Sequence, residues 1–389
     1  MDLRARRQLI TDQFVKRFGC RPTVWVQAPG RVDLMGSHTD YNLGYVLTQA
    51  IDRTTWIAAR PRDEGKVIVE SLNLEGRGQF ELDRIEYDKA VPWTNYVRGV
   101  AAVLQQAGYA LQGFEGLIHS TIPFGSGLSS SAALEVATAV LFDTLGDLDM
   151  DPVQMALHCQ RAENEFVGMN CGILDQYSST MGEADSVLLL DCRDLTSRTR
   201  PLAEGIQVII CDTRAIRELT GSEYAERRAH CEEGARILAG FYPGVQTLRD
   251  VSLDQLQAHS AALSGVVYRR CRFIVAENQR VLDMAEALAR GDRDQITALA
   301  TQSYAGARDL YEISCREMEM MMAAMLSGPG VIGARQAGAG FGGCMVALVN
   351  GGSVDDFAQH VRTHYRARAG IEPQVYPVQA ARGAGPLEP

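Results

Sequence analysis

The segment Pro123-Phe-Gly-Ser-Gly-Leu-Ser-Ser-Ser-Ala-Ala133 restricts the fold more than any other part of this chain. It is preceded by Gly113–Ser120, which reads as a strand, and followed by a helix expected over Ser131–Leu145. A strand must therefore hand over to a helix through a loop of glycines and serines. Gly125 and Gly127 let the backbone come close to a ligand and turn successive N–H groups in one direction. The helix start contributes further unpaired N–H donors and the positive end of its dipole. Ser129, Ser130 and Ser131 add hydroxyls that suit phosphate oxygens or a metal ion. Such a cradle needs no lysine, and the chain has almost none to offer. Lys16, Lys66 and Lys89 all lie outside any glycine-rich turn, which excludes a P-loop. On spacing alone, a tight Gly/Ser turn ahead of a capped helix stays the competing reading.

Around this unit the chain reads as mixed α and β. After a short N-terminal helix, strands are expected at Thr23–Gln27, Val46–Ile51, Thr55–Ala59, Lys66–Ser71 and Gln79–Leu82, punctuated by Pro29-Gly30, Asn42-Leu43-Gly44 and Asp63-Glu64-Gly65. Val97, Val100, Val103 and Leu104 give Asn95–Gln106 a helical period. Asp151 is placed to cap a helix that takes Pro152 in its first turn and runs to about Phe166. Strands at Ser186–Asp191 and Gln207–Asp212 precede a mainly helical region from Ser222 to about Met325. A strand at Cys344–Val349, a helix at Val354–Arg368 and a strand at Gln374–Val378 complete the pattern, with Arg382–Pro389 as a loose tail. A chain of 389 residues accommodates two or three domains, and Arg193–Glu204 is the expected connector between 1–200 and 201–389.

Three further segments concentrate chemistry. Pro29–Gly44 packs Arg31, Asp33, Ser37, His38, Asp40 and Asn42 between glycines, a density of small hydrogen-bonding groups that suits the hydroxyls of a sugar. A solvated loop with Asx turns would look similar. Glu163, on the helix begun at Asp151, and Asp175, after the turn at Gly172, could serve a metal and a proton transfer; each alone could equally be a surface charge. Gly338-Ala-Gly-Phe-Gly-Gly343 matches G-x-G-x-x-G formally. With a helical stretch expected before it and a strand after it, it reads as a hairpin lining a shared cleft rather than a dinucleotide site.

Composition removes other classes. A formal charge of -10 disfavours nucleic acid, which needs a basic face. No apolar run approaches the ~18–20 residues of a membrane span, and Met1–Arg7 is not followed by the apolar core of a signal peptide. The nine cysteines form no CxxC pair or Cys/His cluster, so neither a disulfide framework nor a zinc site is expected, and reduced thiols in a cytoplasm fit best. The expected partners are small molecules, bound by a monomer or weak homodimer.

Together these segments resemble the GHMP small-molecule kinases and, within them, the galactokinase family. Arg31–Gly44 is similar to that family's N-terminal signature, Pro123–Ala133 to its ATP-phosphate loop, and Gly333–Gly343 to its C-terminal glycine motif, in the family's order. Trp93-Thr-Asn-Tyr-Val-Arg-Gly99, Ala162-Glu-Asn164, Cys171–Gln176 and Ser222-Glu-Tyr224 also match. The resemblance implies an α+β, two-lobed GHMP kinase fold, with an S5-like β-α N-terminal lobe and a ferredoxin-like C-terminal lobe. It implies ATP and Mg²⁺ as requirements and a sugar 1-phosphate as product. Asp175 would be the general base and Arg31 the cation beside it. Gly125, Ser126, Gly127, Leu128, Ser129 and Ser130 would cradle the phosphates, with Trp93 lining the adenine pocket. Ser131 and Glu163 would hold Mg²⁺. Ser37, His38, Asp40, Gly172 and Tyr224 would bind the sugar.

The match departs at two positions. The family usually carries Glu, contacting the sugar's 6-hydroxyl, where this chain has Ser37, and Asn where it has Asp33. D-Galactose, met at O6 by Ser37 or a water, is the leading substrate; the alternatives are L-arabinose, which lacks the C6 arm, and galacturonate, no longer repelled there. A silent sugar and ATP sensor is disfavoured, because Ser129–Ser131, Glu163, Arg31 and Asp175 are all present.

Overall fold

A computed structural model describes residues 2–215 and 222–388. Helix α1 (Leu3–Phe18) leads into strands β1 (Val24–Met35) and β2 (Tyr45–Arg62) and the hairpin β3 (Lys66–Ser71)–β4 (Arg77–Glu81). Helix α2 (Thr94–Gln106), β5 (Gly113–Ser120), helices α3 (Ser130–Gly146), α4 (Pro152–Arg161) and α5 (Leu174–Met181), and the hairpin β6 (Ser186–Asp191)–β7 (Thr196–Pro201) follow. The remainder runs β8 (Ile206–Asp212), α6 (Ser222–Ala239), α7 (Leu253–Ala258), α8 (Gly265–Arg290), α9 (Arg293–Gly306), α10 (Arg316–Leu326), β9 (Val331–Gln336), β10 (Cys344–Asn350), α11 (Val354–Ala369), β11 (Gln374–Val378) and β12 (Gly385–Pro386).

Two sheets result. In the first the order is β12-β1-β2-β5-β3-β4, with β6 on the early part of β2 and β7 beyond it; β3 and β5 run parallel. The second is an antiparallel sheet of order β11-β8-β10-β9. The two sheets share one apolar core, because Val281 and Met284 of α8 and Val208, Ile210, Val346 and Leu348 of the second sheet pack with Val32, Leu47, Val136 and Val140 of the first layer.

Most expected elements are present, and the differences have physical causes. The strands expected at Val46–Ile51 and Thr55–Ala59 are one long strand, β2, whose early residues pair β6 and whose later residues pair β5. The polar pair Asp52-Arg53 marks the changeover, not a loop. Pro29-Gly30 likewise lies within β1, at a register shift against β2. There Gly30 is required by close approach, since a Cβ would stand 2.7 Å from the Leu128 carbonyl oxygen. The connector expected over Arg193–Glu204 contains β7, so the passage between sheets is confined to the residues between Pro201 and Ile206. The stretch before Gly338 is strand β9, not helix; its near-continuous burial left no period to read. The tail is not loose: β12 pairs β1 through Val26↔Pro386, and the Leu387 N–H donates to the Trp25 carbonyl at 2.8 Å.

Helix α4 is capped by Asp151, which accepts from the Gln154 N–H at 2.9 Å, and passes into a π-helical turn, Ala162–Val167, that carries Glu163. All nine cysteines are unbridged, and among the described residues no helix is long and apolar enough to cross a membrane.

Helix α1 is fastened by a buried arginine. Arg6 donates to Thr54 Oγ1 at 2.7 Å, to the Thr54 carbonyl at 2.8 Å, and to the His119 carbonyl at 2.7 Å and Nδ1 at 3.0 Å. Burial and the arginine charge push His119 down to about 4, so a neutral ring accepts from Arg6. Arg6→Met should lower unfolding free energy by about 3 kcal/mol, because it strands buried acceptors. Urea denaturation checks this, with the exposed Leu3→Ala expected within about 0.5 kcal/mol of the parent.

Candidate active site

The glycine–serine loop takes the shape its composition calls for. Gly125, Gly127 and Ser129 all have positive φ, at 70°, 84° and 60°. Ser129 occupies the N-cap of α3 without a side-chain cap hydrogen bond, and its hydroxyl is buried with no partner. A helix start without a side-chain cap, free of acidic side chains in its first turn, has N–H donors and a dipole end suited to an anion. Leu128 is buried, anchoring the loop, while its carbonyl accepts from the Arg31 N–H at 3.3 Å. The second glycine segment abuts the first: the Cys344 N–H donates to the Ser126 carbonyl at 2.9 Å.

Arg31 joins this loop to the expected base. Its Nη1 donates to the Gly127 carbonyl at 2.7 Å and its Nη2 to Asp175 Oδ1 at 2.5 Å. The arginine side chain is 7% exposed and the aspartate 28%, so the carboxylate faces an opening while its partner is held from behind. Asp175 lies in the first turn of α5.

Asp40 opens a short 3-10 turn, Asp40–Asn42, and packs against Gly172, where a Cβ would lie 1.7 Å from Asp40 Oδ2. No residue other than glycine fits there without moving the carboxylate. The Tyr224 ring stands 5.3 Å from His38 and 5.5 Å from Tyr41, and its hydroxyl feels the charges of Asp40 and Asp175. Arg31, Asp40, Gly172, Asp175, Tyr224 and His38 are thus brought together. Both ring nitrogens of His38 are engaged, Nδ1 with Tyr41 Oη at 2.9 Å and Nε2 with the Ala339 carbonyl at 3.0 Å. Its ring therefore fastens the polar loop to the second glycine segment.

Glu163 is buried, and Ser131 lies close enough to favour its charged form. Burial, and then the charge of Asp175, push its carboxyl above the usual range. Among the described residues no three His, Cys, Asp or Glu side chains are arranged to hold a metal by themselves. One hydroxyl and one carboxylate fit a cation such as Mg²⁺ that takes its other ligands from phosphate and water. Trp93 sits apart at the N-terminus of α2, its indole N–H donated to the Glu75 carbonyl at 2.9 Å.

Comparison with known proteins agrees with this geometry. Residues 95–183 match the GHMP kinases N terminal domain, 12–61 the galactokinase galactose-binding signature, and 284–367 the GHMP kinases C terminal domain. The chain is 43% identical over 376 residues to a galactokinase of Roseiflexus sp. (strain RS-1), covering 97% of this chain and 96% of that one. It belongs to the galactokinase family of GHMP kinases. A galactokinase of Chloroflexus aggregans is 43% identical, covering 96% of this chain and 95% of its own. The crystal structure of Lactococcus lactis galactokinase complexed with galactose superposes with a TM-score of 0.94 at 34% identity, covering 98% of this chain and 100% of that one. A mevalonate kinase, at 16% identity and a TM-score of 0.66 over 92% of this chain and 99% of its own, shares the fold.

Within this galactokinase-family site, Ser37 is not a free hydroxyl. It donates to Asp33 Oδ2 at 2.5 Å and accepts from Arg335 Nη2 at 3.1 Å, and it is 2% exposed. Arg335, on β9, also meets Asp33 Oδ1 at 3.5 Å and Glu277 Oε1 of α8 at 3.4 Å. Sequence reasoning missed this buried charge cluster because Asp33 and Ser37 lie hundreds of residues from Glu277 and Arg335. It also missed Gln176 and Glu135, although Glu135 left a signal: it is the one charged residue in the apolar run Ala132–Phe142.

Asp40 shows the cost of building such a site. Desolvation pushes its carboxyl from 3.8 up to about 6. The folded state therefore binds its proton more tightly than the unfolded chain, and stability from this group is lost as pH rises from about 4 to about 6. The stability of Asp40→Asn relative to the parent should accordingly increase over that window and then level off, as urea midpoints at pH 4.5, 6 and 8 would show.

Proposed function

We propose that this kinase transfers the γ-phosphoryl group of ATP to the anomeric hydroxyl of D-galactose, giving α-D-galactose 1-phosphate and ADP. The observation that carries the reading is the double grip of Arg31 on Gly127 and Asp175. One buried guanidinium sets the phosphate loop and the carboxylate against the same crevice. Asp175 takes the proton from the sugar O1–H as the O1–P bond forms and the bond to the β-phosphate oxygen breaks. Arg31 balances charge on the transferring group, and the N–H groups of residues 125–130 hold the donor phosphates. Ser131 and Glu163 would hold Mg²⁺, which supplies charge neutralisation on the phosphates when bound. Trp93 offers an aromatic face for adenine from the start of α2. Residues 1–200 carry these groups, and the second sheet with its helices, from β8 to β11, forms the lobe that closes the cleft.

Asp40, Tyr224 and the backbone at Gly172 supply the sugar's hydrogen-bond partners. Ser37 and His38 form the wall behind them, and Ser37 keeps one lone pair for a hydroxyl at C6. A second reading, galacturonate as substrate, has one observation in its favour: the buried cation Arg335 donates to Ser37 Oγ at 3.1 Å, although Asp33 and Glu277 are paired with it.

ADP release over a panel of D-galactose, galacturonate and L-arabinose tests the substrate. D-Galactose should give the highest kcat/KM, and a higher value for galacturonate would transfer the assignment to the second reading. Asp175→Ala should lower kcat by about 10²–10⁴, with ADP binding unchanged by calorimetry; unaltered turnover would remove Asp175 from the role of base.

A further inference from the structure

Behind the expected metal-binding pair lies a polar arrangement that no step above uses. Gln176 follows Asp175 in α5 and is fully buried. Its Nε2 donates to Glu163 Oε2 at 2.6 Å and to Glu135 Oε2 at 3.0 Å. Glu135 lies on α3, one turn beyond Ser131, and is also fully buried. Its other oxygen, Oε1, has no hydrogen-bond partner, and neither has Gln176 Oε1.

These contacts fix more than a packing position. The carboxamide presents its nitrogen to both carboxyl groups, donating one N–H to each. Two hydrogens on one nitrogen then specify the rotation of both partners. Glu163 sits on a π-helical turn, in which its own carbonyl accepts from the Gly168 N–H at 3.0 Å, and its side chain is held by the contacts described here. Oε2 of Glu163 is held by Gln176 and by the Cys171 S–H at 3.3 Å, which leaves Oε1 for a ligand. Glu135 is in turn what keeps the Gln176 amide from rotating. A carboxyl at position 135 inside an otherwise apolar helix face is costly to bury, and packing alone gives no reason for it.

We infer that Gln176 is the positioning residue for the metal-binding pair, aiming Glu163 at the cation, and that Glu135 acts through Gln176 as its anchor. Because Gln176 adjoins Asp175, the same contact sets the metal-holding carboxylate and the proton-accepting one relative to each other. The inference rests on the reading that Ser131 and Glu163 hold the metal.

The test reads Mn²⁺ binding without turnover, by electron paramagnetic resonance of free Mn²⁺ over the full chain at saturating ADP and no sugar. Gln176→Leu should weaken Mn²⁺ binding about tenfold or more, since both carboxyl groups lose their donor. Glu135→Leu should weaken it several-fold. Glu135→Gln, whose carbonyl still accepts from Gln176, should stay within about twofold of the parent and so separate anchoring from bulk. Circular dichroism and the thermal midpoint establish that each variant is folded at the assay temperature. In steady state, the apparent KM for Mg²⁺ should rise in Gln176→Leu by the same factor as its Mn²⁺ affinity falls. Unchanged Mn²⁺ affinity in folded Gln176→Leu, with Glu163→Ala abolishing binding, would overturn the inference and leave the metal reading standing. Unchanged affinity in Glu163→Ala would overturn the metal reading itself.

Discussion

The site depends on one buried guanidinium. Arg31 leaves β1 beneath the phosphate loop and makes two short contacts, one to a loop carbonyl and one to a carboxylate on α5. Neither partner is near it in sequence. A charge-assisted, directional pair in a place of low exposure is worth more than the same pair at the surface, because water does not compete for it. It also fixes the loop at Gly127 and the Asp175 carboxylate relative to each other. The register shift of β1 at Gly30 makes this possible, since it brings the Leu128 carbonyl against the strand and places Arg31 directly beneath Gly127.

A second layer of buried charge holds the two sheets to each other. Asp33 on β1 and Arg335 on β9 belong to different sheets, and Glu277 on α8 closes the set with Arg280 at 2.7 Å and Ser303 at 2.6 Å. Burial raises Asp33, whereas two arginines and a serine draw Glu277 down despite its burial. Breaking such a cluster at one member leaves a charge without compensation, which favours a single arrangement of the sheets. Ser37 sits at its edge, so the specificity of the sugar loop and the docking of the two sheets are parts of one network. The His38 link to the Ala339 carbonyl reinforces the same boundary.

Much of this was legible beforehand. The strand–loop–helix unit around Pro123–Ala133 follows from glycine spacing and from the helix after it, and the absence of a suitable lysine separated it from a P-loop. The polar density of Pro29–Gly44 marked a binding segment, and the helix cap at Asp151 placed Glu163. Strand joints were less legible. A bulged strand and a loop differ by a few backbone angles that residue preferences do not distinguish, so Pro29-Gly30 read as punctuation. The final strand was missed because two residues of pairing carry no pattern.

Sequence alone supplied the local elements: a lysine-free loop of glycines and serines between strand and helix, a polar segment suited to hydroxyls, and the family resemblance that pointed to two acids. Those are properties of local runs, and local backbone preference is enough to express them. Tertiary structure alone decided the rest. It assigned Arg31 to Asp175, gave Ser37 to Asp33 and Arg335 instead of leaving it free, and placed Gln176 between two carboxyl groups. Arg31–Asp175, Ser37–Arg335 and Gln176–Glu135 join residues distant in the chain, and only the packing of a complete core brings such groups within hydrogen-bonding range and excludes the water that would otherwise satisfy them.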